Sequence, residues 1–184
     1  MARKPADVRM MNKAVDYLGR YASSRHKLAQ ILQRFATRKL SDYDPQDIRA
    51  ALKNTLDQCV KLGYIDDRQF AVTTARNQRR LGRSQAMIRQ RLRQHALDDA
   101  TIVQALAEAD EDSVNGDLNA AIRFAQRRRL GPFANRTSVS HPRHDPQQLR
   151  QRGLGAMARA GFSIATARKI IEHDDPDTID QLLN

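Results

Sequence analysis

The sequence predicts an all-α protein, an elongated stack of three tandem three-helix units, on three observations. Aromatic residues make up 5% of the 184 positions and glycine accounts for eight, which leaves little raw material for an extensive sheet. Apolar residues recur at the three- and four-residue spacing of one helix face along most of the chain. Ser24, Leu28 and Leu32 return as Ser84, Ile88 and Leu92 at an offset of 60, and Ala96, Leu97 and Asp98 return as Gly161, Phe162 and Ser163 at an offset of 65. Self-similarity of this period marks stacked helical repeats.

The first unit spans residues 1–64. Val15, Leu18 and Ala22 set the inner face of a helix over 10–22. Ser23 and Ser24 offer caps to a second helix, whose stripe is Leu28, Ile31, Leu32 and Phe35. Asp44 before Pro45 opens a third, because proline suits the first helical position, and Ile48, Leu52, Leu56, Cys59 and Val60 carry it to Leu62. Gly63 can take the left-handed conformation that ends a helix. Asp66 can then accept bonds from the free N–H groups of the next one, with Gln69 three residues on completing a capping box. Tyr64, Ile65 and Phe70 are the apolar residues that tie this corner to a core.

The second unit, 65–111, repeats the plan. Phe70, Thr74 and Leu81 mark the inner face of a fourth helix, with Arg76, Arg79, Arg80 and Arg83 on the opposite side. Ser84 caps a fifth helix with Ile88 and Leu92 inward, and Asp98 a sixth with Ile102, Val103 and Leu106. The third unit, 112–184, begins near Asp112 with Leu118, Ala121, Ile122 and Ala125 inward. A polar insertion at 132–146 interrupts it, since its Pro, Asn, Ser and Thr residues disfavour helix, and Asp174 to Asp177 cap a short last helix carrying Ile179, Leu182 and Leu183.

Charge narrows the function. Lys and Arg number 32 against 21 Asp and Glu, a net charge of +11 that favours polyanionic partners. The signs are banded: residues 76–95 hold seven basic and no acidic side chains, and 96–117 hold seven acidic and no basic ones. Cys59 is the only cysteine, so no internal disulfide can form, and it reads as core filling. The charged N-terminus lacks the apolar stretch of a signal peptide and no later run approaches bilayer length, so no membrane association is expected and the cytoplasm is.

No catalytic constellation emerges: there is no phosphate-cradling glycine loop, no paired-histidine zinc helix and no cysteine cluster. His141 and His144 flank Pro142 without a third ligand, His26, His95 and His173 suit surfaces or helix ends, and Asp66 and Asp67 are explained by capping. Neither a cofactor nor a metal is expected, and the chain does not read as an enzyme. What remains is arginine. Arg76, Arg79, Arg80, Arg83, Arg89 and Arg93, with Arg127, Arg128 and Arg129, stand in stretches without interspersed acidic residues, and Arg20, Arg25 and Lys27 prolong the track. Guanidinium groups fork onto phosphate oxygens, so these are the candidate contacts to nucleic acid or to a filament that carries it. Tyr64, Phe70 and Phe162 are placed like core residues rather than stacking platforms. Contacts to single- or double-stranded DNA should therefore fall on the backbone and be weakly sequence-specific.

The corner Gly63, Tyr64, Ile65, Asp66, Asp67, Phe70, together with the repeats, resembles the RecX family, bacterial regulators of the RecA recombinase. The likeness runs from about Val15 to Ile171, and Gly161 and Phe162, preceded by Arg159, resemble the family's third-repeat corner. Two features depart from the pattern, the long insertion at 132–146 and Ala96 where the second repeat often has glycine. The resemblance implies tandem three-helix repeats and a non-enzymatic modulator. Such a protein binds the RecA–DNA filament along its groove and restrains filament growth, recombinase activity and coprotease activity in DNA repair and the SOS response. The alternative is a stand-alone DNA-binding protein or transcription regulator, which would prefer one duplex sequence without any recombinase. Nothing in the sequence compels a dimer, so a monomer is expected.

Overall fold

The computed structural model describes residues 5–111, 115–134, 145–173, 175–179 and 182, and among them every regular element is helical. The chain divides into two compact units, Met1–Ala71 with Gln94–Leu97, and Val72–Arg93 with Asp98–Asn184.

Unit 1 contains α1 (Ala6–Leu18), α2 (Arg25–Lys39), α3 (Pro45–Lys61) and the first turn of α4 (Asp67–Arg80). The caps form as their residue types dictate: Ser24 Oγ accepts from Lys27 N at 3.2 Å and Asp44 Oδ1 from Gln46 N at 2.6 Å. Helix α1 packs on both α2 and α3 through Ala6, Met10 and Ala14, each four residues apart. This differs from the sequence expectation of a helix over 10–22. The helix ends at Leu18, Val15 is 47% exposed and Ala22 is exposed. Two alanines admit close approach and a flexible methionine fills the space between them. Of the expected inward residues Leu18 alone packs on the core, beside Leu28 and Leu56, because small side chains give a weaker apolar signal than valine and leucine. Leu28, Leu32, Leu56, Cys59 and Ile65 are buried together, and burial pushes the Cys59 thiol above its ordinary pKa, so it stays neutral core filling.

The α3–α4 corner is a Schellman motif. Gly63 has φ +71, its N–H donates to Val60 O at 3.0 Å, and Tyr64 N donates to Cys59 O at 2.9 Å. Asp66 Oδ1 accepts from Gln69 N at 2.9 Å. The turn sends its two apolar residues opposite ways: Ile65 is buried, whereas Tyr64, expected in the core, is 52% exposed. Phe70 is half-buried and lies 4.7 Å from the ring of His95, which is itself partly covered rather than at the surface.

Unit 2 holds the rest of α4, then α5 (Gln85–Arg93), α6 (Asp99–Ala109), α7 (Gly116–Arg128), a 3-10 turn at Gly131–Phe133, α8 (Pro146–Arg159) and α9 (Ile164–Ile171). Its core joins Ala121, Ile122 and Ala125 of α7 to Met157, Phe162, Ile170 and Ile179. Ile88, Leu92, Ile102 and Leu106 are buried as their spacing predicts, but Val103 and Leu81 face outward. Asp98 Oδ1 caps α6 through Thr101 N at 2.6 Å and Ser163 Oγ caps α9 through Thr166 N at 3.0 Å. The residues before them, Ala96 and Gly161, both have positive φ, +54 and +81. Asp112, the centre of the insertion with His141 and His144, Asp174 and Leu183 lie outside the described residues. Pro146 opens α8 under a cap from Asp145, whose Oδ1 accepts from Gln147 N at 3.0 Å.

One pair of bonds occurs in both units. Asp67 Oδ1 accepts from Arg25 N at 2.7 Å at the start of α2, and Asp117 Oδ1 accepts from Gln85 N at 2.7 Å at the start of α5. Beside them Ser24 Oγ bonds His95 Nδ1 at 3.0 Å, and Ser84 Oγ donates to Ala160 O at 2.6 Å.

Candidate nucleic-acid interface

Helix α4 carries the densest run of candidate residues, and its buried stripe decides which of them face solvent. Ala71, Ala75 and Arg79 are each four apart and all are buried, so Arg79 points inward rather than sharing the outer face with Arg76, Arg80 and Arg83. This corrects the expectation drawn from Phe70, Thr74 and Leu81, which outweighed two small alanines in the pattern. The Arg79 side chain is only 8% exposed. Its Nε and Nη2 donate to the two oxygens of Asp110 at 2.8 and 2.6 Å, and Nη1 donates to Asp117 Oδ1 at 2.7 Å and Arg83 O at 3.2 Å. Desolvation alone would lower its pKa, but the hydrogen bonds and charges of Asp110 and Asp117 outweigh it and hold the group above its ordinary value. Gly116 makes room for this fork: a Cβ there would fall 2.3 Å from the Asp110 carboxyl carbon.

Arg76 and Arg80 remain exposed, and α7 brings Asn119 and Arg123 beside them. These side chains, with Arg79, Asp110, Ala109, Gly116 and Ala120, line a cleft of about 550 Å³. Two features hold α7 close. Gly82 (φ +64) lacks the Cβ that would sit 2.9 Å from Ala120 O, and Arg127 donates to Leu81 O. Arg76 Nη2 also reaches Glu108 O at 3.4 Å. Among the described residues neither Arg80 nor Arg123 has an ion-pair partner. Arg123 escaped the sequence reading. The available signal was its place four residues before Arg127, on the face opposite Ala121, Ile122 and Ala125.

The other candidates lie outside the cleft. Arg89 is half-buried on α5, Arg93 pairs with Asp99 at 2.9 Å, and Arg128 sits 5.9 Å over the Phe124 ring. Arg129 closes α7 in the left-handed conformation. In unit 1, Arg25 pairs with Asp57 at 2.7 Å, and its hydrogen bond is the leading cause that lowers the Asp57 pKa. Arg20 and Lys13 both bond Asp16, and the bond from Lys13 leads in lowering that carboxyl. Lys27 is half-buried on α2. Among the described residues no three His, Cys, Asp or Glu side chains gather as a metal site would require. Among the described residues no helix is long and apolar enough to cross a membrane.

Fold and cleft define an all-α protein that presents arginines to solvent beside a buried guanidinium held between two carboxylates. Several relatives share one name. "Regulatory protein RecX" of Myxococcus xanthus is 30% identical over 172 residues, which cover 92% of this chain and 88% of the relative. The protein of the same name from Agrobacterium fabrum is 27% identical over 161 residues, 87% of this chain and 80% of its own. A crystal structure of regulatory protein RecX superposes with a TM-score of 0.65 at 18% identity, covering 91% of this chain and 71% of that one. RecX from Lactobacillus salivarius gives 0.60 at 18% identity, covering 97% and 96%. No family model matches the chain. On the Myxococcus relative's identity and coverage, the chain belongs to the RecX family of regulatory proteins.

Proposed function

We propose that the protein is a non-enzymatic regulator of RecA, built of three tandem three-helix units and working as a cytoplasmic monomer in DNA repair. It binds the RecA–DNA filament and restrains recombinase and coprotease activity. The observation that carries this reading is the solvent-facing arginine cleft of a chain in the RecX family. Guanidinium groups on more than one helix favour phosphate contacts along a backbone over base readout, so single- and double-stranded DNA bind with weak sequence preference. The recurrence of the Asp67 and Ser24 anchors as Asp117 and Ser84 supports the tandem arrangement.

The test is RecA-driven strand exchange and ATP hydrolysis on single-stranded DNA. The wild-type protein should slow both. Arg76, Arg80 and Arg83 are exposed, so changing all three to Gln should leave helicity and melting nearly intact while relieving the restraint. If the wild-type protein leaves RecA unaffected and instead prefers one duplex sequence, the stand-alone DNA-binding reading replaces this one.

A further inference from the structure

We infer that the cleft between α4 and α7 is a phosphodiester-binding site, in which Arg80 and Arg123 contact the phosphate and Arg79 is a positioning residue that never touches it. This rests on the DNA-binding part of the function proposed above and names its site. Three observations converge on it.

The first is charge. Among the described residues that line the cleft, Arg76, Arg79, Arg80 and Arg123 face one carboxylate, Asp110, with Asp117 bonded behind Arg79. Arg79 with its two carboxylates carries one net negative charge, which the three charges of Arg76, Arg80 and Arg123 outweigh. An anion entering the cleft meets uncommitted guanidinium groups whose planar forks match phosphate oxygens.

The second is lining. Among the described residues, the walls apart from the charged groups and Asn119 are Ala109, Gly116 and Ala120. An acidic peptide would find no apolar pocket for its neighbouring side chains, and a base would find no aromatic face to stack on. A sugar–phosphate backbone needs neither.

The third is construction. Arg79 bridges Asp110 at the end of α6 and Asp117 in the first turn of α7, while Gly82 lets α7 approach the end of α4. The spacing between Arg80 on α4 and Arg123 on α7 is thus held by a buried group whose three nitrogens are each already engaged. Preorganisation of this kind spares the site the cost of ordering long side chains and helices on binding.

The experiment uses the full chain without RecA, titrated into a fluorescent single-stranded oligonucleotide over a series of salt concentrations. Arg123→Gln and Arg80→Gln should each weaken binding severalfold and make the slope of log affinity against log salt shallower by about 0.7, the value for one phosphate contact on a single strand. Arg34→Gln, at an exposed position on α2, should change neither. Arg79→Lys should weaken binding with the slope kept, because it disturbs the spacing without removing a contact. If Arg123→Gln matches Arg34→Gln, the site is overturned. It is overturned equally if Arg123→Gln relieves RecA while oligonucleotide affinity is intact, since the cleft then receives an acidic protein surface. Loss of oligonucleotide binding by Arg123→Gln, with a wild-type protein that leaves RecA unaffected, would sustain the cleft and sink the RecA reading.

Discussion

The start of α2 in unit 1 and the start of α5 in unit 2 are anchored by the same pair of bonds, yet what surrounds the pair differs. In unit 1 the Ser24 hydroxyl is met by a side chain, the imidazole of His95, and the following Ala96 carries a Cβ. In unit 2 the Ser84 hydroxyl is met by backbone, Ala160 O, and the next residue is Gly161, where a Cβ would fall 2.6 Å from Ser84 Oγ. The aspartate differs too. Asp67, half-buried at the α3–α4 corner, serves the α2 N-terminus, whereas Asp117 serves α5 and Arg79 at once through the same oxygen. A side chain can bridge a gap that a backbone carbonyl cannot, so the unit 1 anchor tolerates a wider separation and the unit 2 anchor demands glycine. The basic cleft lies on the tighter of the two.

The largest test of this contrast is Arg79→Met, which keeps length and removes the fork. It leaves Asp110 and Asp117 half-covered without their partner and should lower stability by about 3 kcal/mol in urea unfolding, the low end for a broken buried pair because both carboxylates retain solvent. Wild-type stability in that variant would show that Arg79 is not what distinguishes unit 2. A glycine series comes next. Gly161→Ala adds both a strained φ and a collision with Ser84, and should cost about 2 kcal/mol or more, while Gly63→Ala has open space around its Cβ and should cost about 1 kcal/mol from φ alone. Ala96→Gly relieves the same strain and should gain up to about 1 kcal/mol. Equal melting shifts at 63 and 161 would remove the close approach from the argument.

The smallest effect separates the caps at Asp98 and Ser163, which stand at equivalent corners. The backbone N–H of Thr101 leads in lowering the Asp98 pKa. A depressed carboxylate contributes stability that is fully present above its unfolded value, about 3.9, and is lost as pH falls through the folded one. Asp98→Asn keeps a capping oxygen without the titration, so its melting temperature should match wild type at neutral pH and fall less steeply below about pH 4. Parallel acid profiles for the two proteins would assign that decline to other carboxylates.

What the sequence made legible was local. Ser24, Asp44, Asp66, Ser84, Asp98 and Gly63 act within four residues of themselves, and each makes the cap or turn its type dictates. What escaped depends on partners far along the chain or on side chains too small to mark a face. Arg79 looked outward because Ala71 and Ala75 weigh little beside Phe70, and its partners Asp110 and Asp117 lie 31 and 38 residues away. His95 looked like a surface residue because Ser24, its partner, is 71 residues upstream. Arg123 became visible as part of a site only once Gly82 had brought α7 against the end of α4.

Cys59 supplies a clock that belongs to one unit alone. It is the only thiol in the chain, fully buried with Leu28, Leu32 and Ile65, and burial keeps it protonated. An alkylating reagent attacks the exposed thiolate, so under native conditions its rate counts openings of unit 1. Events that loosen only α7, α8 and α9 leave that rate unchanged. A single alkylation time course on the unlabelled protein, with and without DNA, therefore registers how often the Ser24 side of the molecule breathes.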